Sequence, residues 1–136
     1  MGSAGGQGVA ESSKRRIAIV GASRQRDKFG NRAVRAYRAE GWLVFPVNPH
    51  AAEIEGLPAF ASILEVPGPI HRVSIYLPPQ KVLPLLEQIA ARAVDDVYLN
   101  PGSESSEVIE RAQELDLEIV LACSIVEIGR SPMTPD

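Results

Sequence analysis

The chain has 136 residues, 45% hydrophobic and 23% charged, with 14 Lys+Arg against 17 Asp+Glu for a net charge of −3. That is one domain of ordinary globular composition, since domains typically run about 100–150 residues, and an enzyme that closes two domains around its substrate is disfavoured. The acidic balance argues against a general nucleic-acid or anionic-membrane surface; one cysteine excludes an internal disulfide or multi-thiolate metal site, and two histidines exclude a His-rich metal cluster.

No stretch approaches the roughly 20 apolar residues of a membrane span, and no apolar run marks a signal peptide. A cytoplasmic protein is the expectation. Residues 1–13 are mostly Gly, Ser, Ala and Gln and read as a flexible tail. Residues 14–130 read as a single domain, and 131–136, with two prolines, as a short C-terminal tail.

Ile17-Ala18-Ile19-Val20 is a continuous apolar run ending at Gly21, the pattern of a strand covered on both faces. Ala33, Val34 and Tyr37 share a helical face that Gly41 terminates. Leu43-Val44-Phe45-Pro46-Val47 is a second strand, with Pro46 marking the end of its ladder. The spacing predicts a short helix over 60–64 and a third strand over 73–77. Val82, Leu85, Leu86, Ile89, Ala90 and Ala93 form one stripe of a further helix. Val97-Tyr98-Leu99 is a fourth strand, Val108, Ile109, Ala112 and Leu115 mark another helix, and 119–122 a fifth strand. Five strands alternating with helices predict a Rossmann-like, doubly wound parallel five-stranded sheet in a three-layer α/β/α arrangement. A phosphate-type loop after the first strand favours the Rossmann strand order over the flavodoxin one; both place ligands outside the carboxyl ends of the strands.

The loops at that edge carry the chemistry. Gly21-Ala22-Ser23 allows a sharp turn and close approach to the main chain, and Ser23 can donate a hydrogen bond. Arg24, Arg26 and Lys28 place three cations within five residues. The dinucleotide pattern is absent, because Ser23 and Arg26 stand where its glycines would be and the second strand ends in Val47-Asn48-Pro49 without a ribose-binding carboxylate. NADP remains open, since basic groups suit a 2′-phosphate. Asn48 sits between prolines, either as a ligand contact or as an Asn-Pro turn. Leu77-Pro78-Pro79 is a stiff apolar rim that also suits helix initiation. In Asn100-Pro101-Gly102-Ser103, Asn100 can meet a polar group and Ser103 is the expected helix cap. Cys123 has no neighbouring base and reads as a buried structural thiol. His50 is incidental, His71 lies at the opposite end of the sheet, and nothing marks Glu127 out. No catalytic or metal-binding set is found.

Ile19-Val20-Gly21-Ala22-Ser23, Asp27-Lys28-Phe29-Gly30-Asn31, Gly41-Trp42, Phe45-Pro46-Val47-Asn48-Pro49 and Ile54-Glu55-Gly56-Leu57-Pro58 stand in this order along the chain. Tyr76-Leu77-Pro78-Pro79, Asn100-Pro101-Gly102-Ser103-Glu104 and Ala122-Cys123-Ser124-Ile125-Val126 follow them. Over about 16–129 this succession resembles the CoA-binding domain family, and is similar to the CoA-binding domains of succinyl-CoA synthetase alpha subunits and ADP-forming acyl-CoA synthetases. The resemblance implies a Rossmann-like fold that binds coenzyme A or an acyl-CoA. It places Gly21, Ala22 and Ser23 at the pyrophosphate and ribose, and Arg26 and Lys28 at the phosphates. Val47, Asn48, Pro49, Leu77 and Pro78 would flank the adenine nucleotide, with Asn100 and Pro101 near the remainder. Ala122 departs from members that carry a charged residue before the cysteine. The synthetases place their phosphorylatable histidine on a following domain that these residues do not reach, so the expectation is a non-catalytic carrier or sensor. An NADP-linked or acyl-transfer enzyme, and an interaction domain with a vestigial nucleotide site, are the alternatives; a homodimer or a partner protein is left open.

Overall fold

The computed structural model describes residues 14–133. The tail expected over 1–13, and the last three residues of the one over 131–136, lie outside the described residues. In chain order the elements are β1 (Arg16–Val20), α1 (Phe29–Ala39), β2 (Leu43–Val47), a hairpin of β3 (Glu53–Ile54) and β4 (Leu57–Pro58), and β5 (Arg72–Ile75). There follow α2 (Pro79–Val82), α3 (Leu86–Ala91), β6 (Asp96–Leu99), α4 (Ser106–Glu114), β7 (Ile119–Leu121) and α5 (Ser124–Glu127).

Five strands form one parallel sheet in the order β2-β1-β5-β6-β7, with β1 flanked by β2 and β5 along its length. The Rossmann-like α/β class is the one expected. Counting only the sheet strands, however, the order is 2-1-3-4-5, the flavodoxin-type arrangement rather than the Rossmann order that the first loop favoured. The chain leaving β2 explains the difference. Phe60 bridges Val47 in parallel, its N–H donating to Pro46 O at 2.9 Å and its carbonyl accepting from Asn48 N at 2.8 Å. The returning segment therefore borders β2, and the next full strand pairs with β1 on the other side. Pro46, which has no N–H to donate, sits on this edge strand, where a proline is tolerated.

Alternation along β1 sends its side chains into two cores. Ala18 and Val20 join Val73, Ile75, Val97 and Leu99 beneath Val82, Leu86, Ile89, Val108 and Ala112 of the helices on one face. Ile17 and Ile19 join Val44, Ala33, Val34, Tyr37, Ile54, Leu57 and Ile125 on the other. A Schellman arrangement ends α1: Trp42 N–H reaches Tyr37 O, Gly41 N–H reaches Arg38 O, and Gly41 has φ +89°. The Trp42 and Tyr37 rings meet edge-on at 4.9 Å, the apolar contact that accompanies this motif.

Three local expectations are corrected. The helix expected over 60–64 is a 3-10 turn at Ile63–Glu65, capped by the Ser62 hydroxyl. The long helix of the Val82 stripe divides into α2 and α3 around a 3-10 turn at Leu83–Leu85, because Pro84 cannot donate to the helical ladder. Ser105, not Ser103, caps α4, accepting from Val108 N at 3.1 Å.

The face toward α1 and α5 is polar where β5 meets β6. Arg72, Ser74 and Tyr76 alternate along one strand and Asp96, Tyr98 and Asn100 along the other, with Arg72 opposite Asp96 and Ser74 opposite Tyr98. Arg72 is 6% exposed and forms a two-point pair with Asp96 at 2.9 and 3.1 Å, plus a bond to Glu127 at 2.7 Å. Its guanidinium also lies 4.5 Å from the Tyr98 ring centroid. Burial alone would lower its pKa, but hydrogen bonds from Asp96, Tyr37 and Glu127 outweigh that and raise it. Among the described residues, every buried side-chain nitrogen or oxygen has a hydrogen-bond partner.

Candidate functional site

A cleft of about 790 Å³ opens at the carboxyl ends of β1, β2 and β5, where the chain leaves β1 toward one side of the sheet and β5 toward the other. This is the switch point at which open α/β sheets bind ligands. Of the residues picked from the sequence, Gly21, Ala22, Ser23, Lys28, Val47, Asn48, Pro49, Leu77, Pro78 and Pro101 line it. Arg26 and Asn100 are not among its lining residues.

Gly21 creates the cleft's floor. Its φ is +88°, and a Cβ there would lie 2.6 Å from Tyr76 O, so only glycine lets the ends of β1 and β5 come this close. A Cβ on Gly30 would overlap the Gly21 carbonyl, so the first turn of α1 packs directly against the loop it follows. Ser23 Oγ accepts from Gln25 N at 3.0 Å, which keeps the hydroxyl proton available as a donor. The carbonyl of Ser23 is held by Asn31 Nδ2 at 2.8 Å, and Asn31 itself is fully buried.

Asn48 joins two loops. Its Nδ2 donates to Ala22 O at 2.8 Å and its Oδ1 accepts from His50 N at 2.7 Å. Both readings made from the sequence meet here: the residue lines the cleft and also forms an Asn-Pro turn. Ser103 is likewise structural as well as cleft-lining, since its hydroxyl donates to Ile75 O and accepts from Leu77 N, both at 3.2 Å.

The basic groups divide. Lys28 and His50 line the cleft, whereas Arg26 turns outward to Glu55, 3.3 Å away in the β3–β4 hairpin. Glu55 also accepts from Asn31 Nδ2 at 3.0 Å. Asn100 is 2% exposed behind the cleft: it donates to Ser74 Oγ and Ile75 O and accepts from Ser124 N at 2.9 Å. Ser124 Oγ in turn meets Ser74 Oγ at 2.7 Å and the Tyr76 hydroxyl at 3.3 Å. Tyr76 lines the cleft while burial pushes its hydroxyl up to about 12, so it stays protonated at neutral pH. Cys123 is half-buried at the start of α5, packed against the Ile17–Tyr37 core and not among the cleft's lining residues.

Sequence reasoning missed the wall built by the 61–63 segment with α2 and α3, and Phe29 at the start of α1. Phe29, Ala61, Ser62, Ile63, Lys81, Leu85, Gln88 and Ile89 also line the cleft. One signal was present: Lys81, Leu85 and Gln88 recur at helical spacing beside the core stripe of Val82, Leu86 and Ile89, so a mixed face borders an apolar one.

Comparison with known proteins agrees with this architecture. The first ADP-forming acetate–CoA ligase of Archaeoglobus fulgidus is 30% identical over 104 residues, which is 76% of this chain and 15% of that enzyme. The chain thus spans a small part of the ligase. The Bacillus subtilis protein YneT is 24% identical over 79% of both chains. Among solved structures, a conserved hypothetical protein from Pyrococcus furiosus superposes with a TM-score of 0.77 at 31% identity, covering 83% of this chain and 98% of that one. The dinucleotide-forming acetyl-coenzyme A synthetase 1 of Candidatus Korarchaeum cryptofilum, in complex with phosphate and ADP, gives 0.69 at 26% identity over 79% of this chain and 25% of its own. Residues 15–129 match the CoA binding domain family, and the chain belongs to it.

Proposed function

We propose that the chain binds coenzyme A or an acyl-CoA in this cleft and acts as a carrier or sensor of the cofactor without transforming it. The observation that carries the reading is the cleft at the β1–β5 switch point, lined by the Gly21–Ser23 backbone, Lys28 and the apolar Leu77–Pro78 rim. A volume of about 790 Å³ lies within the roughly 300–1,000 Å³ usual for small-molecule sites. Ser23 and Lys28 supply donors for phosphate oxygens, as charge-assisted bonds to phosphate require. Membership of the CoA binding domain family supports the same ligand.

Absence of catalysis is supported by the cleft's side chains. Among the described residues that line it, no hydroxyl or thiol is hydrogen-bonded to a histidine or carboxylate, the arrangement that activates a nucleophile. Tyr76, which burial keeps neutral, is poorly suited to act as a base near pH 7. Calorimetric titration with CoA, dephospho-CoA and NADP tests the reading. Binding of CoA more tightly than NADP is expected, and negligible heat with CoA overturns it.

A further inference from the structure

Resting on the CoA reading, we infer that the arm of the cleft between the 61–63 segment and α3 is a purine slot in which Gln88 reads the base and Ser62 sets the direction of its amide. The cleft is chemically divided. Toward β1 it offers the Gly21–Ser23 backbone, Lys28 and His50; toward α3 it offers Ala61, Ile63, Leu85 and Ile89 around the Gln88 amide, with Lys81 on α2 at the near end of that wall. A ligand that carries phosphates at one end and a flat base at the other matches this division, with the base in the apolar arm. Gln88 is half-buried, and an amide presents a donor and an acceptor side by side. That pair complements adenine, whose N6 amino group donates while the adjacent ring nitrogen accepts.

The direction of the amide is constrained by its neighbour. Ser62 Oγ accepts from Leu64 N at 3.1 Å, and it lies 3.3 Å from Gln88 Oε1. The Ser62 hydroxyl donates to Oε1, which holds the amide oxygen on the Ser62 side. Nε2 is left to donate to a ring nitrogen, while the second lone pair of Oε1 accepts from N6. Hypoxanthine, which replaces the N6 amino group with a carbonyl oxygen and protonates N1, demands the reverse sense. Accepting it would require the amide to flip, exchanging the bond it accepts from the Ser62 hydroxyl for one donated to an oxygen that already accepts from Leu64 N and leaving the hydroxyl proton to seek another acceptor. Ser62 is therefore a positioning residue, and Gln88 the specificity determinant.

The test compares CoA with its hypoxanthine counterpart by calorimetry, on the unaltered protein and on Gln88→Leu. The unaltered protein should bind CoA at least ten-fold more tightly than the hypoxanthine form. Gln88→Leu should weaken CoA about ten-fold and bring the two ligands to within about two-fold of each other. Equal binding of both ligands by the unaltered protein overturns the inference without any variant. So does a preference that survives in a Gln88→Leu protein of unchanged melting temperature. If CoA gives no heat with the unaltered protein, the CoA reading itself fails. A CoA that binds without base preference leaves that reading intact and removes only the role of Gln88 and Ser62.

Discussion

Replacing Gly21 by alanine tests the closest approach in the fold. Two costs apply, and the structure separates them. A non-glycine residue at φ +88° carries roughly 1–2 kcal/mol of backbone strain. The new Cβ would also meet Tyr76 O at 2.6 Å, Tyr76 C at 3.0 Å and Leu77 Cδ2 at 3.2 Å. The first two are backbone atoms in hydrogen-bonded strand geometry, since Tyr76 N donates to Val20 O at 2.8 Å, so relief requires β1 and β5 to move apart. Overpacking of this kind costs about 1–3 kcal/mol, giving a total of about 2–5 kcal/mol. Gly41→Ala provides the reference. Gly41 has nearly the same φ, +89°, but a Cβ there has nothing within 4 Å, so it should cost only the strain of about 1–2 kcal/mol. Urea denaturation of both variants, analysed at a common m-value, reads the difference directly. Equal destabilisation by the two substitutions refutes the close-approach argument. Because the displaced atoms border the cleft, Gly21→Ala should also weaken CoA binding measured at temperatures where it remains folded, whereas Gly41→Ala should not.

Lys28→Ala and Lys81→Ala should each weaken CoA by about 3–10-fold, below the ~1.5–3 kcal/mol of a fully desolvated charged hydrogen bond because both lie at an open cleft; titration at two salt concentrations checks this, and the weaker salt dependence expected of each variant separates charge from shape. Arg72→Met should destabilise by about 2–4 kcal/mol in urea, since it leaves Asp96 and Glu127 without the buried guanidinium they flank; a loss below about 1 kcal/mol would show that the pair only offsets its own desolvation. Tyr76 is held at about 12 against 10.0 for the free side chain, so its contribution is complete below pH 10 and is lost as the pH rises toward 12, an effect of about 2–3 kcal/mol. Tyr76→Phe should flatten that part of the alkaline stability profile, and an unchanged slope would refute the assignment.

The strands and their alternation were legible in the sequence because burial on both faces leaves continuous runs such as Ile17–Val20 and Val97–Leu99. Ten of the twelve residues chosen for the site line one cleft, since each closes or follows a strand at the same edge of the sheet. The strand order was not legible: it depends on Phe60 lying beside Val47, a pairing that leaves no periodic signal. Pro84 was visible, but the strength of the Val82–Ile89 stripe concealed its effect, because the core face continues through the 3-10 turn even though the ladder does not. Arg26, which is not among the cleft's lining residues, meets a partner the sequence does not point to. Its place in a basic loop indicates a phosphate partner, while the carboxylate it meets, Glu55, comes from a hairpin whose position only tertiary structure supplies. Gln88 and Ser62 escaped notice because each looks like an ordinary surface residue until α3 and the 61–63 segment are brought together.

The polar ladder behind the cleft bears on how the site is held. Loops at a strand edge are ordinarily the mobile part of an α/β fold, yet here the ends of three of them are tied to one buried cluster. Tyr76 at the end of β5, Asn100 after β6 and Ser124 after β7 meet through Ser74, and the Tyr37 hydroxyl donates to Ser124 O at 2.7 Å, adding α1. Such a network is costly when partly satisfied and rigid when complete, and among the described residues no buried side-chain partner is missing. The α3 wall combines the apolar packing of Val82, Leu86 and Ile89 with hydrogen bonds nearer the surface, from Ser62 to Gln88 at 3.3 Å, from Arg92 to Ile63 O at 2.5 Å and from Arg111 to Glu87 at 2.6 Å. The cleft therefore has one wall fixed by a buried hydrogen-bond network and one held by packing with part-buried and exposed bonds. Solvent competes for exposed bonds and not for buried ones, so the Tyr76 side is the more firmly set of the two walls.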